Sequence, residues 1–121
     1  MMNEERLIST AYDAFNKRDI DTALDLMDPN VDWPNGWEGG YLHGRKAVKE
    51  YWIRQWQEIN PNVSVVALKK LGTNKFEVTV HQFVRDMSGN ILINATIKHI
   101  YTIENGLIKR MEIEKPAAAG H

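Results

Sequence analysis

Apolar residues in the first half of the chain recur at three- and four-residue spacing, which is the period of one face of an α-helix. A first helix is predicted over residues 4–17, and a short second helix follows Asp19, whose carboxylate suits an N-cap, and ends before Pro29. A third helix is predicted over residues 45–59, because Pro61 prevents its continuation. The N-terminal half is therefore expected to be mainly helical.

The spacing of apolar residues changes to every second position after Pro61, which indicates β-strands. Another brief strand is predicted at residues 31–33, before a glycine-rich loop that ends near residues 43–44. Helices in one half and strands in the other predict an α+β fold, in which the helices cover one face of a curved antiparallel sheet around an aromatic-lined pocket. The long strands, separated by glycine-containing turns, are predicted over residues 63–71, 75–86, 91–104 and 107–114.

The hairpin turns predict which side chains share a face of the sheet, because side chains alternate along a strand. The turn before the third long strand places Gln82 opposite Ala95 and Val78 opposite His99, and the preceding turn places Val65 beside Gln82. Gln82 and His99 are then the polar exceptions on an otherwise apolar inner face. The outer face is mostly polar, which suits solvent or a partner subunit.

The last hairpin leaves two registers open. A three-residue loop with Gly106 in a bulge places Met111 beside His99, whereas a two-residue turn places Glu112 beside His99. We favour the first register because it buries Met111 and Ile113.

The composition of the 121 residues restricts the class of protein. A hydrophobic content of 43% and a charged content of 26% are ordinary for a globular domain, and a net charge of -1 provides no basic face for nucleic acid. No apolar run is long enough to span a membrane, and the absence of cysteine predicts a reducing, cytoplasmic location. We expect one domain over residues 1–114 and a flexible tail over residues 115–121.

Four strings carry a resemblance to a known family: NKRD at residues 16–19, DPNVDWP at 28–34, HGRKAV at 43–48 and HIYTIENGLI at 99–108. In this order they resemble the SnoaL-like branch of the nuclear-transport-factor-2-like superfamily over residues 4–114. The resemblance implies a cone of curved sheet and helices around a pocket, often with dimerisation through the outer sheet face. Members include polyketide cyclases, ketosteroid isomerases, epoxide hydrolases, dehydratases and proteins without catalysis, so the fold does not determine the function.

The chain departs from this family at the positions that carry isomerase chemistry. Ketosteroid isomerases have their general-base Asp just before the proline after the first strand, where this chain has Trp33. Their oxyanion tyrosine corresponds to a position near Ala11, with Tyr12 one residue away on a different part of the helix. The strand position that often carries a functional Asp in isomerases and cyclases corresponds to His99. The isomerase mechanism is therefore not supported, and a different acid-base arrangement remains open.

His99 is the predicted catalytic residue, because a free imidazole titrates near neutral pH and can take or give a proton. The alternative is a core histidine satisfied by one hydrogen bond. Gln82 either orients a ligand carbonyl or bonds a buried backbone group, and the aromatic candidates either line the pocket or simply fill the core. The predicted substrate-binding residues are Trp33, Trp52, Trp56, Gln82, Tyr101 and Tyr12.

Three hypotheses about function follow from these residues. The first is an isomerase, cyclase or dehydratase that transfers protons on a small hydrophobic or aromatic molecule, with His99 as acid or base, helped by Gln82 or Tyr101. The second is a non-catalytic protein that binds such a molecule, and the third is a domain that serves mainly to form a homodimer through the outer sheet face. No cofactor is predicted, and no metal site either, because His43, His81 and His99 lack ligand spacing.

Overall fold

Short polar side chains cap the first two helices and determine where they begin. In the computed structural model, which describes residues 3–36 and 38–114, Asn3 Oδ1 accepts a hydrogen bond of 2.8 Å from the backbone N–H of Arg6. Asp19 Oδ1 accepts a bond of 3.3 Å from the backbone N–H of Thr22, which confirms the predicted N-cap. Each cap satisfies a backbone donor that the first helical turn leaves free.

Helices and strands follow one another in nearly the predicted order. The first and third helices, and the last three strands, have the predicted boundaries to within one residue. The predicted tail, residues 115–121, lies outside the described residues, as do residues 1–2 of the predicted domain. The elements are α1 (Glu4–Asn16), α2 (Ile20–Asp25), β1 (Met27–Pro34), β2 (Tyr41–His43), α3 (Arg45–Glu58), β3 (Ile59–Lys70), β4 (Lys75–Asp86), β5 (Ile91–Glu104) and β6 (Leu107–Glu114).

The six described strands form one curved, unclosed sheet in the order β2-β1-β6-β5-β4-β3. Neighbouring strands are antiparallel except β1 and β6, which are parallel. The core joins the helices to the concave face of this sheet, since Ile8 of α1, Val31 of β1, Val48 of α3, Val80 of β4 and Ile108 of β6 are each at most 1% exposed. The predicted α+β fold is confirmed.

The prediction of the N-terminal strands is incomplete. Strand β2 lies in the segment predicted as loop, and its three residues are too few to show an alternating pattern. Strand β1 is longer than the predicted residues 31–33, because an irregularity in its pairing with β6 accommodates Pro29. Strand β3 begins at Ile59 rather than residue 63. It is an edge strand, where the missing N–H of Pro61 breaks no hydrogen bond between strands.

The predicted register between β4 and β5 is confirmed, with Gln82 opposite Ala95 and His99 opposite Val78. The register between β3 and β4 is wrong by two residues, because Val63 lies opposite Gln82 where Val65 was expected. An irregularity after Val65 shifts the pairing further along the strand. It moves Leu68 rather than Ala67 to the inner face opposite Val78.

Neither predicted register of the last hairpin occurs. Asn105 and Gly106 form a two-residue turn with φ of 54° and 74°, the left-handed backbone that such hairpin turns require. A bulge beyond the turn then shifts the pairing, so that Ile113 faces His99 and Met111 faces Tyr101. Met111 and Ile113 still share the inner face, as the favoured register expected, but each is displaced by two residues along β5.

The side chain of Asn16, at the end of α1, attaches this helix to the sheet. Its Nδ2 donates to the carbonyl oxygen of Val63 at 2.8 Å, and its Oδ1 accepts from the backbone N–H of Val63 at 2.9 Å. Both bonds use backbone groups of edge strand β3 that have no partner on β4. The helix is thereby held over the concave face of the sheet.

Candidate ligand-binding site

A cavity of about 370 Å³ lies between the helices and the concave face of the sheet. None of the residues that line it is Asp, Glu, Lys or Arg, so its wall carries no formal charge when His99 is neutral. The volume is within the range of cavities that bind small molecules. The lining residues are Ala11, Tyr12, Phe15, Ala23, Met27, Trp33, Pro34, Gly36, Tyr51, Trp52, Gln55, Ile59, Pro61, Val63, Gln82, Val84, Ile93, Ile97, His99, Tyr101, Met111 and Ile113.

Three buried side chains in this wall form a chain of hydrogen bonds. The hydroxyl of Tyr101 donates to the hydroxyl oxygen of Tyr12 at 2.8 Å, and the Tyr12 hydroxyl lies 2.5 Å from Nδ1 of His99. His99 and Tyr101 are two residues apart on β5 and therefore project from the same face, while Tyr12 reaches them from α1. None of the three is more than 8% exposed.

The number of protons gives this chain one direction. The Tyr101 hydroxyl donates to the Tyr12 oxygen, so the hydroxyl proton of Tyr12 is left to bond Nδ1 of His99, which accepts. In the neutral imidazole the remaining proton is on Nε2. No described residue is hydrogen-bonded to that nitrogen, and His99 lines the cavity, so the chain ends in an N–H group available to a ligand.

Burial keeps all three members of the chain uncharged near neutral pH. It lowers the pKa of His99 from 6.5 to about 4, because the imidazolium would lose its hydration. Burial also raises the pKa of Tyr12, an effect increased by Tyr101, and raises the pKa of Tyr101. The catalytic role predicted from sequence required His99 to titrate near neutral pH, and burial moves its pKa well below that range. At pH 7 His99 is therefore a hydrogen-bond donor rather than a ready proton carrier.

Two of the predicted tryptophans line the cavity and contact each other edge to face. The rings of Trp33 and Trp52 have centroids 5.6 Å apart, and Trp33 also lies 6.4 Å from the ring of Tyr101. Trp56 stacks on the far side of Trp52 at 5.7 Å, outside the cavity lining, with the guanidinium of Arg18 5.0 Å from its ring. The structure thus brings together all the predicted site residues except Trp56.

Two polar lining residues are absent from the sequence-based set. Tyr51 and Gln55 lie one turn apart on α3, and Nε2 of Gln55 is 3.4 Å from the Tyr51 hydroxyl. The available signal is the helical spacing, because a residue four positions after Tyr51 projects from the same side of the helix. Gln55 continues the face that Trp52 begins.

Comparison with known proteins identifies the family. The family model for the SnoaL-like domain matches residues 8–111. The chain belongs to the SnoaL-like domain family. This confirms the resemblance drawn from the sequence strings. No protein of curated function matches the sequence.

Solved structures similar to this SnoaL-like protein share its fold at low identity. An NTF2-like protein of unknown function from Burkholderia pseudomallei has a TM-score of 0.83 and 21% identity, with 98% of this chain and 95% of that chain covered. TerC, co-crystallised with polyporic acid, has a TM-score of 0.81 and 22% identity over 94% and 92% of the two chains. Rv0760c from Mycobacterium tuberculosis, in complex with estradiol-17beta-hemisuccinate, has a TM-score of 0.79 and 13% identity over 92% of each chain.

The carboxylate nearest in sequence to Trp33 lies outside the cavity of this SnoaL-like protein. Asp32 points to the surface, where Oδ1 is 2.8 Å from Nδ1 of His43 and Oδ2 accepts from Arg110 at 3.2 Å. The hydrogen bond from His43, with the charge of Arg110, lowers the pKa of Asp32. Asp32 is therefore a half-exposed ion-pair residue outside the cavity.

Other classes of site find no support in the described ranges. No group of three or more His, Cys, Asp or Glu side chains in residues 3–36 and 38–114 could hold a metal ion. No helix among the same residues is both long and apolar enough to cross a membrane.

Proposed function

We propose that this protein binds a small, uncharged and largely apolar molecule in the cavity and fixes it by a hydrogen bond from Nε2–H of His99. The observation that supports this most directly is the chain from Tyr101 through Tyr12 to His99, whose last donor has no partner in the described protein. Apolar and aromatic walls supply the area that a hydrophobic ligand would bury, and a few polar groups orient it. The ligands named for TerC and Rv0760c make small-molecule binding by this fold a reasonable expectation.

Ligand binding can be tested through the tryptophans of the cavity. Titration with a panel of steroids and aromatic ketones should change the fluorescence of Trp33 and Trp52, and calorimetry should give the affinity. The variant His99→Phe keeps a ring in the wall but removes the donor, so the affinity for a ketone should fall about tenfold. His81→Phe, which changes a histidine on the outer face, is the matched control and should bind as the wild type does. Equal affinities of wild type and His99→Phe would refute the role of His99.

A catalytic function is the second candidate, and the same donor chain favours it. A neutral N–H aimed at a carbonyl oxygen stabilises the negative charge that develops there in isomerase-, cyclase- or dehydratase-type reactions. His99 would then act as the oxyanion donor rather than as acid or base, since an imidazole with a pKa of about 4 is neutral and a weak base at neutral pH. Turnover of a bound ketone, lost in His99→Phe under saturating substrate, would support catalysis. Binding without turnover would support the non-catalytic alternative.

We also propose that the protein forms a homodimer through the outer sheet face and resides in the cytoplasm. The outer face presents Phe83 and Ile100, both half-buried, among polar residues, and the chain has no cysteine. Ile100→Glu should convert the dimer to a monomer in sizing chromatography, because the new carboxylate would be buried without a partner. Gln57→Glu, which adds a carboxylate at an exposed position of α3 away from the outer sheet face, is the control and should leave the dimer intact. Cell fractionation tests the location.

A further inference from the structure

The amide of Gln82 is a second polar group of the cavity wall that the protein leaves unused. Its side chain is half-buried on the inner face of β4, opposite Ala95 and Val63, and lines the same cavity as His99. No hydrogen bond joins this amide to any described residue, in contrast to Gln55, which lies beside the Tyr51 hydroxyl. A half-buried amide that makes no internal bond is free to recognise a ligand.

The strand register gives the distance between the two polar groups. His99 faces Val78, and Gln82 is four residues farther along β4, so the two backbones are separated by about 13 Å along the strands and about 5 Å across them. Between them is the apolar pair of Val80, which is fully buried, and Ile97. Because the sheet curves inward, the polar ends of the two side chains are on the order of 10 Å apart.

The two ends differ in depth and in chemistry. His99 is 4% exposed and lies at the deep end of the cavity. Ile93 lines the cavity two positions from Ala95, the residue opposite Gln82, and is 42% exposed. Gln82 therefore belongs to the outer end of the cavity. Nε2–H of His99 can only donate, but an amide can both donate and accept. No charged side chain lines the space between them.

We infer that the ligand is an elongated, uncharged molecule with an apolar body and a polar group at each end. An acceptor such as a carbonyl oxygen meets His99 at the deep end, and a hydroxyl or second carbonyl about 10 Å away meets Gln82 at the outer end. This inference rests on the proposed function and narrows it to a class of ligand. It assigns Gln82 as the residue that selects for the second polar group.

A pair of rigid probes separates the two ends. Testosterone carries a carbonyl at one end and a hydroxyl at the other, and its analogue with hydrogen in place of the hydroxyl keeps only the carbonyl. The wild type should bind testosterone roughly three- to tenfold more tightly than the analogue, which is the value of one neutral hydrogen bond. Gln82→Met, which keeps the length of the side chain, should abolish this difference. Gln57→Met, an exposed position on α3, should preserve it.

The outcomes distinguish this inference from the proposed function. Equal binding of the two steroids to the wild type, or an unchanged preference in Gln82→Met, would overturn the role of Gln82. Binding of the short ketone acetophenone without binding of either steroid would overturn the elongated ligand but retain a His99 site. Failure of all three probes to bind would count against the proposed function itself. Circular dichroism and thermal unfolding of Gln82→Met show that any loss of preference occurs in a folded protein.

Discussion

Acidification should destabilise this protein before its carboxylates are protonated, and His99 is the cause. The imidazole has a pKa of about 4 in the folded protein and about 6.5 when unfolded, so the unfolded chain binds more protons between these values. The stability that the neutral imidazole contributes is fully present above the pKa of the unfolded chain, and it is lost as the pH falls toward the pKa of the folded protein. The expected loss is about 2 kcal/mol between about pH 7.5 and about pH 5, and about 3 kcal/mol at its limit.

Urea unfolding followed by tryptophan fluorescence at a series of pH values measures this loss. His99→Gln removes the titration but retains an oxygen that can accept from Tyr12, so its stability should vary little over the same range. His81→Gln is the matched control, because it removes a histidine on the outer face and should keep the wild-type dependence. Hydrogen bonds lower the pKa of Asp28, Asp32 and Asp86, and the contribution of those carboxylates disappears only at more acidic pH. If wild type and His99→Gln lose stability in parallel, the imidazole is not buried in its neutral form.

Two further predictions concern single hydrogen-bonded side chains. Tyr12→Phe should lower the free energy of unfolding by about 1–3 kcal/mol, because it leaves both Nδ1 of His99 and the Tyr101 hydroxyl buried without a partner. Tyr101→Phe should lower it less, because Tyr12 can still donate to His99. Chemical denaturation of both variants gives the comparison, and equal losses would contradict the direction of the hydrogen-bond chain. Asn16→Ala should lower the free energy of unfolding by about 1–2 kcal/mol through loss of two bonds to Val63, while the exposed Asn62→Ala changes it by less than about 0.5 kcal/mol in the same assay. A similar effect of the two asparagine changes would mean that water replaces the Asn16 contacts.

Local sequence is sufficient to predict much of the sheet, but not its bulges. The pairing of β4 with β5 follows from alternation of side chains and is found as predicted, including Gln82 opposite Ala95. At Val65 and beyond Asn105 an extra residue in one strand shifts the pairing by one residue, and the length of the adjacent turn accounts for the rest of each register error. Such bulges depend on how the sheet curves around the core, which no neighbouring residue in the chain specifies.

At the site, too, contacts between residues close in the chain can be predicted from sequence, and contacts between distant residues cannot. Alternation along β5 places His99 and Tyr101 on the inner face, so these positions can be proposed from sequence. The contact between Tyr12 and His99 joins residues 87 positions apart, and it depends on the rotation of α1 over the sheet. The low pKa of His99 follows from that packing, because burial rather than any neighbouring charge is its cause.

The bonds between Asn16 and Val63 also affect how the molecule meets other chains. The outer edge of β3 would otherwise offer the N–H and C=O of Val63 to a strand from another molecule, which is how sheets extend into aggregates. One amide occupies both groups and covers that point of the edge with a helix. We expect Asn16→Ala to aggregate more readily than its loss of stability alone would explain, because the same substitution exposes a place where a foreign strand can add.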